Sequence, residues 1–480
     1  MAKIIGRRLE LRELQRLYES DEAEMAVVYG RRRVGKTFLV NQKFGAEGFA
    51  FKVTGLYQCR LHKQLENFWL ALKEYSGNNN LPVPLKWTEA FEQLKDYLKT
   101  SKSNKKRVLF FDELPWMDTK GSGFFVAFER FWNGWANAQS DILLIACGSA
   151  TNWIINKLFK HKGGLYNRAA SKIFLKPFTL CETEQYLEKQ GIEWERYDIA
   201  QVYMIMGGIP YYLKQLEPSR TLADNIDNCF FRINGRLWDE FDNLYETLFD
   251  VSENYLKVAE ALSTKRTGMT REEIIKYTKM PDNGLISKVL RDLVNCGFVR
   301  VYQYFGHKTK TQTYQLADFY TMFYFSFIKD NYGQDEHFWT HSLDTPQKNS
   351  WLGYSFEQLI KDHIEQVKRA LGIGSVLSQQ SSWFERVAES DDSETSGAQI
   401  DLIIDRRDRA INICEAKFYS GEFVIDKDYS VKLRNKVSTF KRISETRKTL
   451  IPTLITTFGV KHNKYSGTIQ QEVVLDDLFS

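Results

Sequence analysis

Gly30-Arg31-Arg32-Arg33-Val34-Gly35-Lys36-Thr37 decides the fold. It follows Met25 to Tyr29, a short apolar run that reads as a buried strand, and it opens a stretch that reads as a helix. The spacing matches G-x-x-x-x-G-K-[ST] without a gap. Glycines let backbone N–H groups wrap phosphates, and the helix N-terminus adds partial positive charge. Lys36 is placed to reach the β and γ oxygens, and the Thr37 hydroxyl to hold magnesium. Gly30, Arg31, Arg32, Arg33, Val34, Gly35, Lys36, Thr37 and Phe38 are therefore expected around bound ATP.

Working outward, Leu109-Phe110-Phe111-Asp112-Glu113 supplies the other half of such a site. A carboxylate ending a buried strand is costly unless it meets a cation. Asp112 is expected to hold Mg²⁺ through water, and Glu113 to orient or deprotonate the attacking water. Val108 to Phe111 and Ile142 to Cys147 read as further strands, with helices such as Arg8 to Glu19 and Phe124 to Ala138 between them. Strands alternating with helices predict an α/β fold with a parallel sheet.

Beyond about residue 180 the apolar pattern turns helical, over 182–189, 197–206 and 211–216. Residues 250–318 predict three helices, 255–263, 270–279 and 284–295, and then a hairpin, 298–304 with 311–316. That order describes a winged helix-turn-helix. Helix Gly284 to Asn295 would be its recognition helix, exposing Asn283, Ser287, Lys288 and Arg291, with Lys308 and Lys310 on the wing. Asp292 on that helix counts against DNA contact, and a spacer or protein-contact role is the alternative.

The last segment predicts a helix over Ser355 to Ala370 and strands at 375–379, 400–405 and 410–418. A basic helix at about 429–443 and strands at 449–458 and 472–475 complete it. Between the first two strands, Glu389 to Gly397 is acidic and serine-rich. Asp401 lies in one strand, and Glu415 and Lys417 share a face of the next, because side chains two apart in a strand point the same way. Two facing carboxylates can hold Mg²⁺ or Mn²⁺. Lys417 would position water or stabilise developing charge, and Glu357 could add a third carboxylate. Ordinary ion pairs on two strands are the alternative. Lys432, Arg434, Lys436, Lys441 and Arg442 could follow a phosphodiester backbone or form a solvated face.

Composition bounds the rest. The chain has 480 residues and a net charge of +5, which only weakly favours nucleic acid. Six cysteines form no C-x-x-C pair, so neither a zinc site nor a disulfide framework is indicated. No signal-peptide pattern or run of membrane-span length is present, which predicts a cytoplasmic protein with no membrane partner. Aromatic residues make up 14% and read as core.

On the motifs quoted, residues 4–215 resemble the AAA+-related, archaeal-type ATPases, which are similar to the STAND class. Ile5-Gly6-Arg7 with Glu10 and Leu14 looks like that family's N-terminal signature near adenine. The resemblance implies that Ser149, in Cys147-Gly148-Ser149, senses the γ-phosphate. It implies that Arg168, in Tyr166-Asn167-Arg168, is a finger or sensor. It also implies that Gly207-Gly208-Ile209-Pro210 is a lid motif, with Pro210 near the nucleotide. Acting in trans, Arg168 would require a homo-oligomer. Residues 350–480 resemble the PD-(D/E)xK nuclease superfamily through Glu357, Asp401, Glu415 and Lys417.

The expected order is an ATPase core (1–180), a helical lid (181–249), a winged helix-turn-helix (250–320), a helical linker (321–349) and a small restriction-endonuclease-like α/β domain (350–480). The function this implies is ATP hydrolysis coupled to a Mg²⁺- or Mn²⁺-dependent DNA nuclease. A signalling switch or DNA-binding regulator with a non-catalytic scaffold is the alternative.

Overall fold

Val27, Val28, Leu109, Phe110, Leu144 and Ile145 are all fully buried, because the strands carrying them are covered on both faces. These strands belong to a computed structural model that describes residues 4–101, 103–149, 151–160, 171–249, 252–306, 312–331, 333–384 and 399–480. The chain forms two compact units, Met1–Pro177 with Thr247–Asp250, and Phe178–Glu246 with Val251–Ser480.

The first unit is built on β1 (Glu24–Tyr29), β2 (Phe51–Thr54), β3 (Arg107–Asp112), β4 (Ile142–Gly148) and β5 (Ser171–Phe174). All run parallel, in the order β2-β3-β4-β1-β5. Helices Leu61–Ser76, Trp87–Thr100 and Phe124–Gly134 contribute to one aromatic core with Phe51, Phe68, Trp87, Phe91, Phe111 and Phe128. The helix expected to reach Ala138 stops at Gly134. Trp135, at φ −152° and ψ −56°, leaves the helical region, and only a short 3-10 turn follows. Since β4 lies between β1 and β3, the carboxyl ends of three neighbouring strands present the phosphate loop, Ser149 and Asp112 side by side.

In the second unit, helices Leu180–Lys189 and Arg196–Met206 come first. Helices Ser252–Ser263, Arg271–Thr278 and Gly284–Asn295 follow. With them goes a small antiparallel sheet of β6 (Met269–Thr270), β7 (Val299–Tyr302) and β8 (Thr313–Leu316), in the order β6-β8-β7. Next come helices Pro346–Asp362 and Ile364–Ala370. The single helix expected over Ser355 to Ala370 starts earlier, at a Thr345 cap and Pro346, and breaks at His363.

The remaining strands are β9 (Ser378–Phe384), β10 (Gln399–Arg406), β11 (Ala410–Lys417), β12 (Thr449–Thr456) and β13 (Gln471–Val474). Their order is β13-β12-β11-β10-β9, antiparallel on the β9 side and parallel on the β13 side. The strand expected at Ser375 to Gln379 lies further along, because Val376 N–H closes a turn onto Ile373. Helix Lys427–Ser444 lies before β12. Among the described residues no helix is long and apolar enough to cross a membrane.

The hairpin end of the three-helix module is joined to this sheet. Tyr304 bridges Ser382, and the Phe305 N–H donates to the Ser382 carbonyl at 3.1 Å. Phe305 packs on the core of Trp383, Ile400, Ile403, Ile411, Ile413 and Phe440. Arg300 on β7 donates to Gln358 Oε1 at 3.1 Å and pairs with Asp362, both on helix Pro346–Asp362.

Candidate functional sites

Between β1 and helix Lys36–Phe44 the chain must turn back on itself. Gly35 makes this turn at φ 93°, an angle that costs a Cβ-bearing residue strain. Lys36 is 5% exposed. Its ammonium donates to the Gly30 carbonyl at 3.1 Å and the Arg31 carbonyl at 2.8 Å. Val34 and Arg31 are buried, while Phe38 points outward. Arg7 Nη2 donates to the Val34 carbonyl at 3.3 Å, so the N-terminal signature grips the loop itself. Arg32 Nη1 donates to Thr247 Oγ1 at 2.5 Å. Arg33 sits at φ 69°.

Thr37 Oγ1 lies 3.0 Å from both Asp112 carboxylate oxygens. Asp112 is buried, and burial, then the neighbouring Glu113 charge, hold its carboxyl above the ordinary range. Glu113 follows at φ 45°. Its Oε2 accepts from the Ser149 N–H at 3.0 Å and the Ser149 hydroxyl at 2.9 Å. This strained backbone and its two donors aim one carboxylate oxygen at the end of β4. A buried ammonium held by neutral carbonyls, with a buried carboxylate beside a threonine hydroxyl, fits a triphosphate with a hard divalent cation.

Arg168, with Tyr166 and Asn167, lies outside the described residues. Pro210 starts helix Pro210–Leu213 in the second unit. The glycines before it have a local explanation. Gly207 ends helix Arg196–Met206 at φ 66°. Gly208, at φ 64°, approaches Phe178 so closely that a Cβ would lie 2.4 Å from its carbonyl oxygen. Phe178 N–H donates to the Gly208 carbonyl at 2.8 Å, and the Tyr203 hydroxyl to the Phe178 carbonyl at 2.8 Å.

The second constellation is assembled from a helix and two strands. β10 and β11 pair through Leu402 and Cys414, one step from Asp401 and Glu415. Residues opposite each other in an antiparallel pair share a face. Asp401 lies in an irregularity between Ile400 and Ile403 in the pairing with β9, a feature that re-aims side chains. Its Oδ2 accepts from the Ala416 N–H at 3.3 Å. Glu357 joins from helix Pro346–Asp362, and all three carboxylates line one space of about 10 Å³. That is about the size of one water. Burial and then the Asp401 charge raise the pKa of both Glu357 and Glu415.

Glu415 is 2% exposed. Its Oε2 accepts from Lys436 at 2.7 Å, and its Oε1 has no hydrogen-bond partner among the described residues. Lys417 Nζ stands 5.5 Å over the Tyr429 ring. Among the described residues, no three Asp, Glu, His or Cys side chains already form a metal-binding group. The donors that are present, oxygen only and mutually repelling, suit a hard cation. Lys436, rather than Lys417, is the lysine hydrogen-bonded to Glu415. The signal was the helical phase: Tyr429, Leu433, Lys436 and Phe440 share a face, and Leu433 and Phe440 are buried. Lys432, Arg434, Lys441 and Arg442 are exposed on the same helix.

On helix Gly284–Asn295, Ser287, Lys288 and Arg291 are exposed, and Asn283 caps the start by accepting from the Leu285 N–H at 2.8 Å. Asp292 does not face solvent as expected. It is 3% exposed and accepts from the Tyr255 hydroxyl at 2.8 Å, so the outer face carries no carboxylate from it. Lys308 and Lys310, and the acidic stretch Glu389 to Gly397, lie outside the described residues.

Comparison with known proteins bears on the first of these sites. Residues 5–216 match the model of an ATPase domain predominantly from Archaea. An uncharacterized protein of Methanocaldococcus jannaschii is 23% identical over 400 residues, 81% of this chain and 83% of that protein. A Walker-type ATPase of Pyrococcus abyssi is similar at 19% identity and a TM-score of 0.45, over 67% of this chain and 96% of that one. The ORC2 protein of Aeropyrum pernix is similar at 12% identity and a TM-score of 0.40, over 75% of this chain and 96% of that one. Residues 5–216, which carry the phosphate loop and the buried Asp112, are thus the part of the chain that matches an ATPase domain predominantly from Archaea.

Proposed function

We propose that this protein binds and hydrolyses ATP with magnesium in its first unit and that nucleotide state controls a metal-dependent nucleic-acid cleavage site in its second. The observation that carries the first part is the connected set Thr37, Asp112, Glu113 and Ser149 at three adjacent strand ends. The loop Gly30 to Phe38 cradles the phosphates, and Lys36 neutralises them. Thr37 and Asp112 hold the magnesium, which supplies charge neutralisation for the phosphates. Glu113 takes the proton of the attacking water, and Ser149 fixes the carboxylate for that task. Arg168 completes the charge balance in cis or, from a second copy, in trans. Hydrolysis assays with Lys36→Ala and Glu113→Gln test this reading. Equal turnover in wild type and Glu113→Gln would sink the role of Glu113.

For the second unit, support comes from three facing carboxylates and the orphaned Glu415 oxygen. Glu357, Asp401 and Glu415 would hold Mg²⁺ or Mn²⁺, which activates water or stabilises developing charge. Lys417 or Lys436 balances charge at the phosphate. The three-helix module acts as a winged helix, with Lys288 and Arg291 available to phosphates. The Lys436–Glu415 pair favours a second reading, a scaffold whose carboxylates are neutralised internally. Manganese titration separates the two: a scaffold takes up no ion that depends on Asp401.

A further inference from the structure

The β7–β8 hairpin and the C-terminal sheet enclose a cleft of about 250 Å³ that opens beside Glu357 and Asp401. Its size lies below the ~300–1,000 Å³ of drug-sized ligand sites. It admits a single flat group and not a duplex, whose major groove alone is ~12 Å wide. Three features of its wall restrict what that group can be.

Aromatic rings come first. Tyr302 and Tyr304 line the cleft on the hairpin side, and Trp383 on the sheet side. Cations are second. Lys361 Nζ stands 4.9 Å over the Tyr302 ring, and the Arg266 guanidinium stands 5.3 Å over the Tyr354 ring. Arg266 is held there by Ser350 Oγ at 2.9 Å.

The third is Gln315, which is 3% exposed. Its Nε2 donates to the Arg266 carbonyl at 2.6 Å, while its Oε1 has no partner among the described residues. Turning the amide over would set oxygen against that carbonyl, so the orientation is fixed. A buried acceptor without a donor is costly and waits for one.

We propose that this cleft holds one unpaired nucleotide of a single strand and reads its base through an exocyclic amino group. The inference rests on the cleavage reading above for the location of the scissile phosphate, beside Glu357 and Asp401. Rings accept a base face whatever its sequence. Lys361 and Arg266 meet the flanking phosphates. Gln315 Oε1 accepts from the amino group of adenine or cytosine, which thymine lacks.

The test is binding, measured apart from cleavage. Fluorescence anisotropy of the full chain with labelled oligo-dA, oligo-dC and oligo-dT is recorded in Ca²⁺. Oligo-dA and oligo-dC bind about fivefold more tightly than oligo-dT, the value of one hydrogen bond. Gln315→Met removes that preference. Lys361→Ala, at a partly exposed position, weakens all three strands by about threefold and serves if the first variant does not fold. Equal affinity for all three strands, a preference that survives Gln315→Met, tighter binding of a duplex, or no binding to any strand overturns the proposal. Selective binding without cleavage in Mn²⁺ upholds it and removes the catalytic reading instead.

Discussion

The phosphate loop and the carboxylate cluster solve the same problem, buried charge, in opposite ways. In the first unit, Asp112 and Lys36 are hydrogen-bonded to neutral groups, Thr37 and two backbone carbonyls. In the second, Glu415 is already met by a full charge, Lys436, and its neighbours Asp401 and Glu357 repel it. Removing either partner from a buried pair is strongly destabilising, because an uncompensated charge remains. On the proposed reading, the first site takes its ligand without displacing a charge, whereas the second would have to exchange an internal cation for an external one. The contrast teaches that burial of a charge marks a site only when its existing partners are known.

That difference can be broken by experiment. The largest effect is expected from Glu113→Gln, which should lower ATP turnover by about 10³-fold while leaving nucleotide affinity near wild type. Lys36→Ala should weaken nucleotide binding by about 100-fold in calorimetry, the loss of charge-assisted bonds to phosphate. Asp401→Asn should weaken Mn²⁺ binding by about tenfold and abolish any Mn²⁺-dependent cleavage. Unchanged metal uptake would reduce the cluster to an internal ion pair. Ser149→Ala should slow turnover by about tenfold and add nothing in a Glu113→Gln background, since the two act as one unit.

The smallest effect concerns His363. Its Nε2 accepts from the Leu180 N–H at 3.0 Å, and burial lowers its pKa from the ordinary value. The neutral ring is therefore the native form. Its contribution is complete above ~6.5 and is lost as pH falls through the lowered value. The thermal midpoint of the full chain should fall by about 2–4 °C between pH 7 and pH 5, and by less in His363→Gln.

How much was legible follows the same line. Gly30 to Thr37 could be read because a phosphate loop is continuous in sequence, and its strand and helix flanks confirm it. β10, β11 and helix Gly284–Asn295 were readable from their own periodicity. Lys436, Gln315 and Lys361 were not, because each acquires its partner from a segment far along the chain. Asp292 misled for the same reason: only the fold brings it under the Tyr255 hydroxyl. The break at His363 was hidden because the residues on both sides favour helix, and a tertiary hydrogen bond from Leu180 selects the ring's position.

The bond between Phe305 and Ser382 carries a consequence for anyone dissecting the chain. A cut between residues 320 and 350 would leave Phe305 without Phe440, Arg300 without Asp362 and Tyr304 without its strand neighbour. The fragment upstream would expose an aromatic ring and a stranded guanidinium, and the fragment downstream an open sheet edge prone to self-pairing. The hairpin and the sheet are to be expressed, purified and assayed as an indivisible piece.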